Sequence, residues 1–227
     1  MADELRAHHR QRCDLHGDDD HPGGATEVSA FARDEAGQGL LEFALVLPPI
    51  LLILVFGLIE LANTLSVGVT VSAATREGAR VGSALVNGGG SLGCGGTNSP
   101  NAATVDPNIV GAVERVLTDK GGRVVLSDVS EIHIAKADAN GNETAGLVNV
   151  WRYQLNGGPV VDGQALDFVQ VSQPWLPCTR SNATPPDSVR ITVIYTYRGR
   201  TPLRLFVPMF DQFTMTDKTV MSMNASR

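Results

Sequence analysis

Apolar and polar residues divide the chain into three stretches. Residues 1–36 are rich in His, Asp, Arg and Gly and poor in apolar side chains, so they cannot bury enough surface to fold alone and read as disordered. Leu40 to Leu65 is then almost continuously apolar. No charge falls between Phe43 and Ile59, and an acid, Glu42 or Glu60, stands near either end. Eighteen helical steps of about 1.5 Å separate the two acids, about 27 Å in all, close to a bilayer core of about 30 Å. A transmembrane helix is therefore expected over residues 38–65. Pro48 and Pro49 each remove a backbone donor and crowd the preceding turn, which predicts a kink or a locally melted turn within it.

The third stretch changes period along its length. Val67, Val71, Ala74, Gly78, Val81 and Leu85 recur at three- and four-residue steps, an apolar stripe that extends the helix to about Val86. Ala74, Gly78 and Gly82 form a small-x-x-x-small ladder that permits close helix approach, either to the chain's own domain or to sister helices. Residues 87–103 are Gly-, Asn- and Ser-rich and predict a flexible loop, without the Gly-Lys-Ser or Gly-Lys-Thr of a phosphate loop. Asp106 and Pro107 mark a helix start, Ile109, Val110, Val113, Val116 and Leu117 its apolar face, and Gly121-Gly122 its end.

Beyond it the pattern is that of strands. Residues 124–137 and 149–155 flank Asp138-Ala139-Asn140-Gly141-Asn142-Glu143, whose Asn-Gly pair predicts a hairpin turn rather than a calcium loop. Residues 156–187 read as a long surface excursion with one short strand near Phe168–Val171. Val189, Ile191, Val193, Tyr195 and Tyr197 alternate with polar positions, as do Phe213, Met215, Met221 and Met223, and these two closing strands are expected to pair antiparallel. The fold class is α+β: a long N-terminal transmembrane and amphipathic helix, then a small antiparallel-sheet head, residues 104–227, with one further helix.

Charge and cysteine content narrow the chemistry. Through Gly37 there are four Arg and nine Asp or Glu, so five of the six net negative charges lie there and the rest is nearly neutral. No basic field remains to attract nucleic acid. His8, His9, Cys13, His16 and His21 do not have the spacing of a closed metal site. Cys94 and Cys178 form a possible disulfide in an oxidising compartment, which closing so long a loop would make worth about 4–5 kcal/mol; two free thiols are the alternative. Asn182-Ala183-Thr184 is a glycosylation sequon by pattern alone. His133, between Ile132 and Ile134, points to the face opposite theirs. No H-E-x-x-H or C-x-x-C occurs, so no enzyme, cofactor or metal is expected.

Three runs carry a family resemblance: Gly37-Gln38-Gly39-Leu40-Leu41-Glu42-Phe43-Ala44-Leu45-Val46-Leu47-Pro48, Gly57-Leu58-Ile59-Glu60, and Ala73-Ala74-Thr75-Arg76-Glu77-Gly78-Ala79-Arg80. Together they resemble the TadE-like pilus-assembly family, pseudopilins of tight-adherence (type IVc) machines. The resemblance implies cleavage between Gly37 and Gln38 by a prepilin peptidase, removing the polar leader 1–37. Glu42 would then be the fifth residue and dock near a free amine at the filament base. Glu60 is expected to make a second assembly contact at the opposite interface. The implied partners are the peptidase, other pilin or pseudopilin subunits, the inner-membrane assembly platform and the lipid bilayer. The implied location is the cytoplasmic membrane, with the head extracytoplasmic, an orientation that flanking Arg33, Arg76 and Arg80 do not settle. Gln38 replaces the aromatic first residue common in major pilins, and the D-x-S-x-S motif of the related TadG-type proteins is absent. A membrane-anchored extracytoplasmic domain that binds a ligand and stays outside any filament is the alternative.

Overall fold

The computed structural model of the chain describes residues 35–85, 102–119, 124–205, 207–208 and 211–223. The described residues fall into two units that divide between Leu45 and Val46. Helix α1, Glu35–Ala84, contributes to both. In the first unit its turns expose Leu40, Leu41, Phe43 and Leu45. In the second it passes Pro48 and Pro49 as continuous helix, so the melted turn expected there does not form. Two adjacent prolines withdraw only two amide donors from a 50-residue ladder, and the turns on either side keep theirs.

The head is a five-stranded antiparallel sheet in the order β5-β2-β1-β6-β7, formed by β1 Val129–Ala137, β2 Glu143–Tyr153, β5 Phe168–Ser172, β6 Ser188–Arg198 and β7 Gln212–Ser222. A two-stranded ribbon, β3 Val160–Val161 and β4 Gln164–Ala165, lies in the excursion between β2 and β5. The β1–β2 hairpin turns where Asn140-Gly141 predicts. Asp138 Oδ1 accepts the Asn140 and Asn142 amides, both at 2.8 Å, and Gly141 takes φ +77, which its missing Cβ permits. β6 and β7 pair antiparallel from Ser188–Ser222 to Arg198–Gln212, as the alternation predicts.

Both helices cover one face of this sheet. Val189, Ile191, Val193, Tyr195 and Tyr197 of β6 point into the core with Ile132 and Ile134 of β1 and Trp151 of β2. Helix α2, Ala102–Thr118, adds Ile109, Val110, Val113 and Leu117. It starts four residues before the expected Asp106, because that carboxylate is buried in an ion pair rather than capping a helix end. Gly121-Gly122, the expected stop, lie outside the described residues. On the opposite face His133 sits between Glu131, at 3.1 Å, and Glu143, at 3.4 Å, with Arg152 on Glu131 at 2.8 Å.

The small-residue ladder of α1 is used within the chain. A Cβ on Gly78 would lie 2.5 Å from Val113 Cγ2 of α2 and 3.4 Å from Ile191 of β6; one on Gly82 would lie 3.2 Å from Ile109 Cδ1. Beside it Thr75 Oγ1 donates to Asp217 Oδ2 of β7 at 2.6 Å and stands 2.9 Å from the Thr219 hydroxyl. The two glycines differ in what they meet, a short β-branched side chain against the free end of an isoleucine. Gly78→Ala is expected to lower unfolding stability by about 1–3 kcal/mol through overpacking against Val113. Gly82→Ala is expected to be near neutral, its strain offset by about 1 kcal/mol of helix propensity. Denaturant unfolding of the detergent-solubilised protein distinguishes the two.

Candidate assembly site on the anchor helix

Gly37 and Gln38 lie in the first turns of α1, with nothing within 4 Å of the space a Cβ on Gly37 or Gly39 would take. Gln38 and Glu42 are one turn apart on the same side of the helix, and Gln38 Nε2 donates to Glu42 Oε1 at 3.5 Å. The Glu42 carboxylate is exposed, and that long contact leaves most of its acceptor capacity for a stronger donor. Glycine at 37 and 39 weakens the surrounding helix by about 1 kcal/mol per residue relative to alanine. The bond between Gly37 and Gln38 is therefore held in a turn that opens at low cost.

Glu60 has a different environment. It is 1% exposed and faces the head. Its Oε1 accepts the Tyr197 hydroxyl at 2.6 Å and the Arg200 amide at 3.2 Å, and its Oε2 accepts the Thr201 amide at 3.0 Å. Three donors, all from the end of β6 and the turn that follows, thus satisfy the carboxylate inside the chain. Glu60, expected to make a second assembly contact at the opposite membrane interface, bonds Tyr197 within its own chain. Glu60, Asn63, Val67, Val71, Ala74, Gly78 and Gly82 are buried in succession along one face of α1. The head-facing stripe therefore begins seven residues before Val67, and its first members are polar.

A second buried polar cluster was not legible at all. Asp106 Oδ1 pairs with Arg180 Nη2 at 2.6 Å, each side chain 1% exposed. Asn149 Nδ2 donates to Asp106 Oδ2 at 2.8 Å, and Asn149 bonds both the amide and the carbonyl of Trp175, at 2.8 and 2.7 Å. The Arg180 guanidinium lies 4.4 Å from the Trp175 ring centroid. Burial pulls Arg180 below its usual pKa while Asp106 pulls it back. This cluster ties the excursion between β5 and β6 to α2 and β2. Cys178, two residues from Arg180, is disulfide-bonded; Cys94, its expected partner, lies outside the described residues.

A cleft of about 390 Å³ opens between α2 and the β3–β4 ribbon, lined by Glu114, Arg115, Asp162 and Gln164 among others. Arg115 and Asp162 pair at 2.8 Å along it. Glu114 accepts the Asp167 amide at 3.1 Å. Burial pushes its carboxyl above the ordinary 4.5, and the Asp167 charge adds to the rise while the amide opposes it. Among the described residues no three His, Cys, Asp or Glu side chains are grouped to hold a metal ion.

Residues 37–80 match the model of a family described as TadE-like protein. The match takes in Gly37, Gln38, Glu42 and Glu60 and ends on α1, so the resemblance seen in the sequence holds for the helix, and the match points to a protein associated with a tight-adherence pilus. No curated protein and no solved structure matches the chain. The same helix is long and apolar enough to cross a membrane.

The two acids of α1 are expected to respond oppositely to truncation. Glu60→Ala strands two buried donors and one half-buried one and should lower stability by about 2–3 kcal/mol, and Tyr197→Phe by about 1.5 kcal/mol, whereas exposed Glu42→Ala should leave the unfolding midpoint in place. Glu114 supplies a pH test. Because its folded pKa lies above the unfolded one, its contribution is complete below about pH 4.5 and is lost as pH rises through the folded value. Glu114→Gln should thus raise the thermal midpoint at pH 7 and leave it unchanged near pH 4; a gain of equal size at both pH values would contradict burial as the cause.

Proposed function

We propose that this chain is a minor pseudopilin of a tight-adherence (type IVc) pilus or secretion filament. The observation that carries the reading is the family match over residues 37–80, within which Gly37, Gln38 and an exposed Glu42 stand one turn apart on a helix able to span a membrane. A prepilin peptidase cuts between Gly37 and Gln38, releasing the leader and leaving residues 38–65 as the anchor. The new α-ammonium on Gln38 then lies within a turn of Glu42. In hydrocarbon an unpaired carboxylate is strongly disfavoured, so Glu42 seeks that amine or the equivalent one on a neighbouring subunit. The cost of leaving it unpaired is what directs the helix into the filament base.

The rest of α1 supports packing against sister subunits. Leu58, Leu61, Leu65 and Val69 remain 54–71% exposed on the side away from Glu60, Asn63 and Val67. An apolar stripe therefore continues past the point where the head takes over the opposite face. The head stands outside the cytoplasm, where Cys94 and Cys178 pair. Peptidase, pilin subunits, assembly platform and bilayer are its partners, and its work is assembly rather than catalysis.

N-terminal sequencing of protein extracted from membranes of peptidase-competent cells is expected to begin at Gln38. An intact N-terminus there would favour an uncleaved, ligand-binding anchor protein. Glu42→Gln is expected to preserve membrane insertion and abolish filament assembly, so normal piliation in that variant would remove the docking role.

A further inference from the structure

The connection between β6 and β7 reaches down the apolar part of α1. Glu60 fixes the amides of Arg200 and Thr201, and Leu203, only two residues on, is 3% exposed. Leu203 borders a cavity of about 210 Å³ whose other walls are Pro49, Leu52, Ile53 and Phe56. Those four residues fall at i, i+3, i+4 and i+7, the same face of α1 that continues into Glu60 and Asn63. At about 1.5 Å per residue they lie about 6–16 Å beyond Glu60 toward the N-terminal end of the helix. Large apolar side chains from Val46 to Ile59, apart from half-buried Phe56, are otherwise 40–60% exposed. Leu203 thus sits beside a length of helix whose surface suits lipid.

We propose that the turn Arg200 to Arg204 is a second membrane contact, a wedge that seats in the leaflet next to α1 and takes anionic phospholipid. The proposal rests on α1 spanning the bilayer. An apolar core of about 30 Å holds about 20 helical residues, so a span starting near Gln38 still encloses Pro49 to Phe56. The turn that carries Leu203 cannot stay clear of the bilayer if those residues are inside it. Its polarity fits that depth. Leu203 faces the helix, while Pro202, Arg200 and Arg204 are exposed. Arginines of this kind extend their charged ends to the headgroup phosphates while their stems cover apolar surface. The cavity beneath Leu203, walled only by apolar residues and proline, is sized for part of an acyl chain. A sister helix would fill the same cavity but offers no anionic group to the exposed Arg204.

Nitroxide probes test this on the full chain in phosphatidylglycerol-containing vesicles. Pro202→Cys reports the turn, Leu51→Cys reports the anchor and Thr214→Cys an exposed position of β7, each on a Cys13→Ser background. The expected result is loss of collisions with an aqueous nickel chelate, with oxygen collisions retained, at 202 and 51 but not at 214. Nickel access at 202 with Leu51 protected overturns the wedge and leaves the anchor standing. Nickel access at all three positions overturns both. Shielding of 202 from both reagents identifies a second copy as the occupant and refutes the lipid. Arg200→Gln with Arg204→Gln should make the turn shallower in phosphatidylglycerol than the parent; unchanged depth refutes the role given to the arginines.

Discussion

The burial of the Glu60 carboxylate sets the geometry on which the rest of the molecule depends. A helix that is lipid-like on one length and part of a protein core on the next must change its surroundings within a turn or two, and Glu60 stands at that change. A buried carboxylate is tolerated only when several donors meet it, and a hydrogen bond to a charged acceptor is worth about 1.5–3 kcal/mol. Here the donors are the Tyr197 hydroxyl and two successive amides. All three come from one place, the point where β6 leaves the sheet. The bond set therefore fixes α1 against β6 in both rotation and height, since a shift of one residue along the helix would swing the carboxylate by about 100°.

Contacts further along α1 build on that register. Thr75 reaches Asp217 and Thr219 across β7, and Gly78 brings the helix backbone close enough for Val113 and Ile191 to meet it. These contacts repeat the phase set by Glu60: a polar bond at 60, another at 75, and close packing at 78 and 82. The Asp106–Arg180 pair does the equivalent work for the far side of the head. Such a pair contributes little net stability because both ions lose their water, but breaking one partner is costly, so the pair selects one arrangement over its competitors. With Asn149 and Trp175 it holds a segment of poor regular structure in one place.

What was legible in the sequence follows from the range of the interaction. β6 and β7 were readable because alternation is local, and the β1–β2 hairpin because Asp138, Asn140 and Gly141 bond within five residues. The apolar stripe of α1 was readable from Val67 onward for the same reason. Glu60 and Asn63 belong to that stripe, yet the partner of Glu60, Tyr197, lies 137 residues away, and hydropathy alone assigns both to the span. Asp106 followed by Pro107 looks like a helix start, and only Arg180, far along the chain, turns it into an interior residue. Gly78 and Gly82 advertised close approach without saying to what. On the candidate site, Gly37, Gln38 and Glu42 were singled out by the family resemblance, and the structure adds only that Glu42 is exposed beside Gln38.

The two acids of α1 have separable jobs because their surroundings differ in kind. Glu42 has one long contact to a neutral amide, so a nearby ammonium gains a full charge-assisted bond with almost nothing to displace. Glu60 already has short bonds to three donors within the chain, so any intermolecular partner would first have to break them. Of the two, Glu42 is the one whose contacts within the described residues leave acceptor capacity over. The exposed stripe of Leu58, Leu61, Leu65 and Val69 lies away from Glu60 for the same reason: the polar bond commits one face of the helix to the head and leaves the other uncovered within the chain. One carboxylate thus orients the helix within its own chain, and on the proposed reading that leaves the other to act between chains.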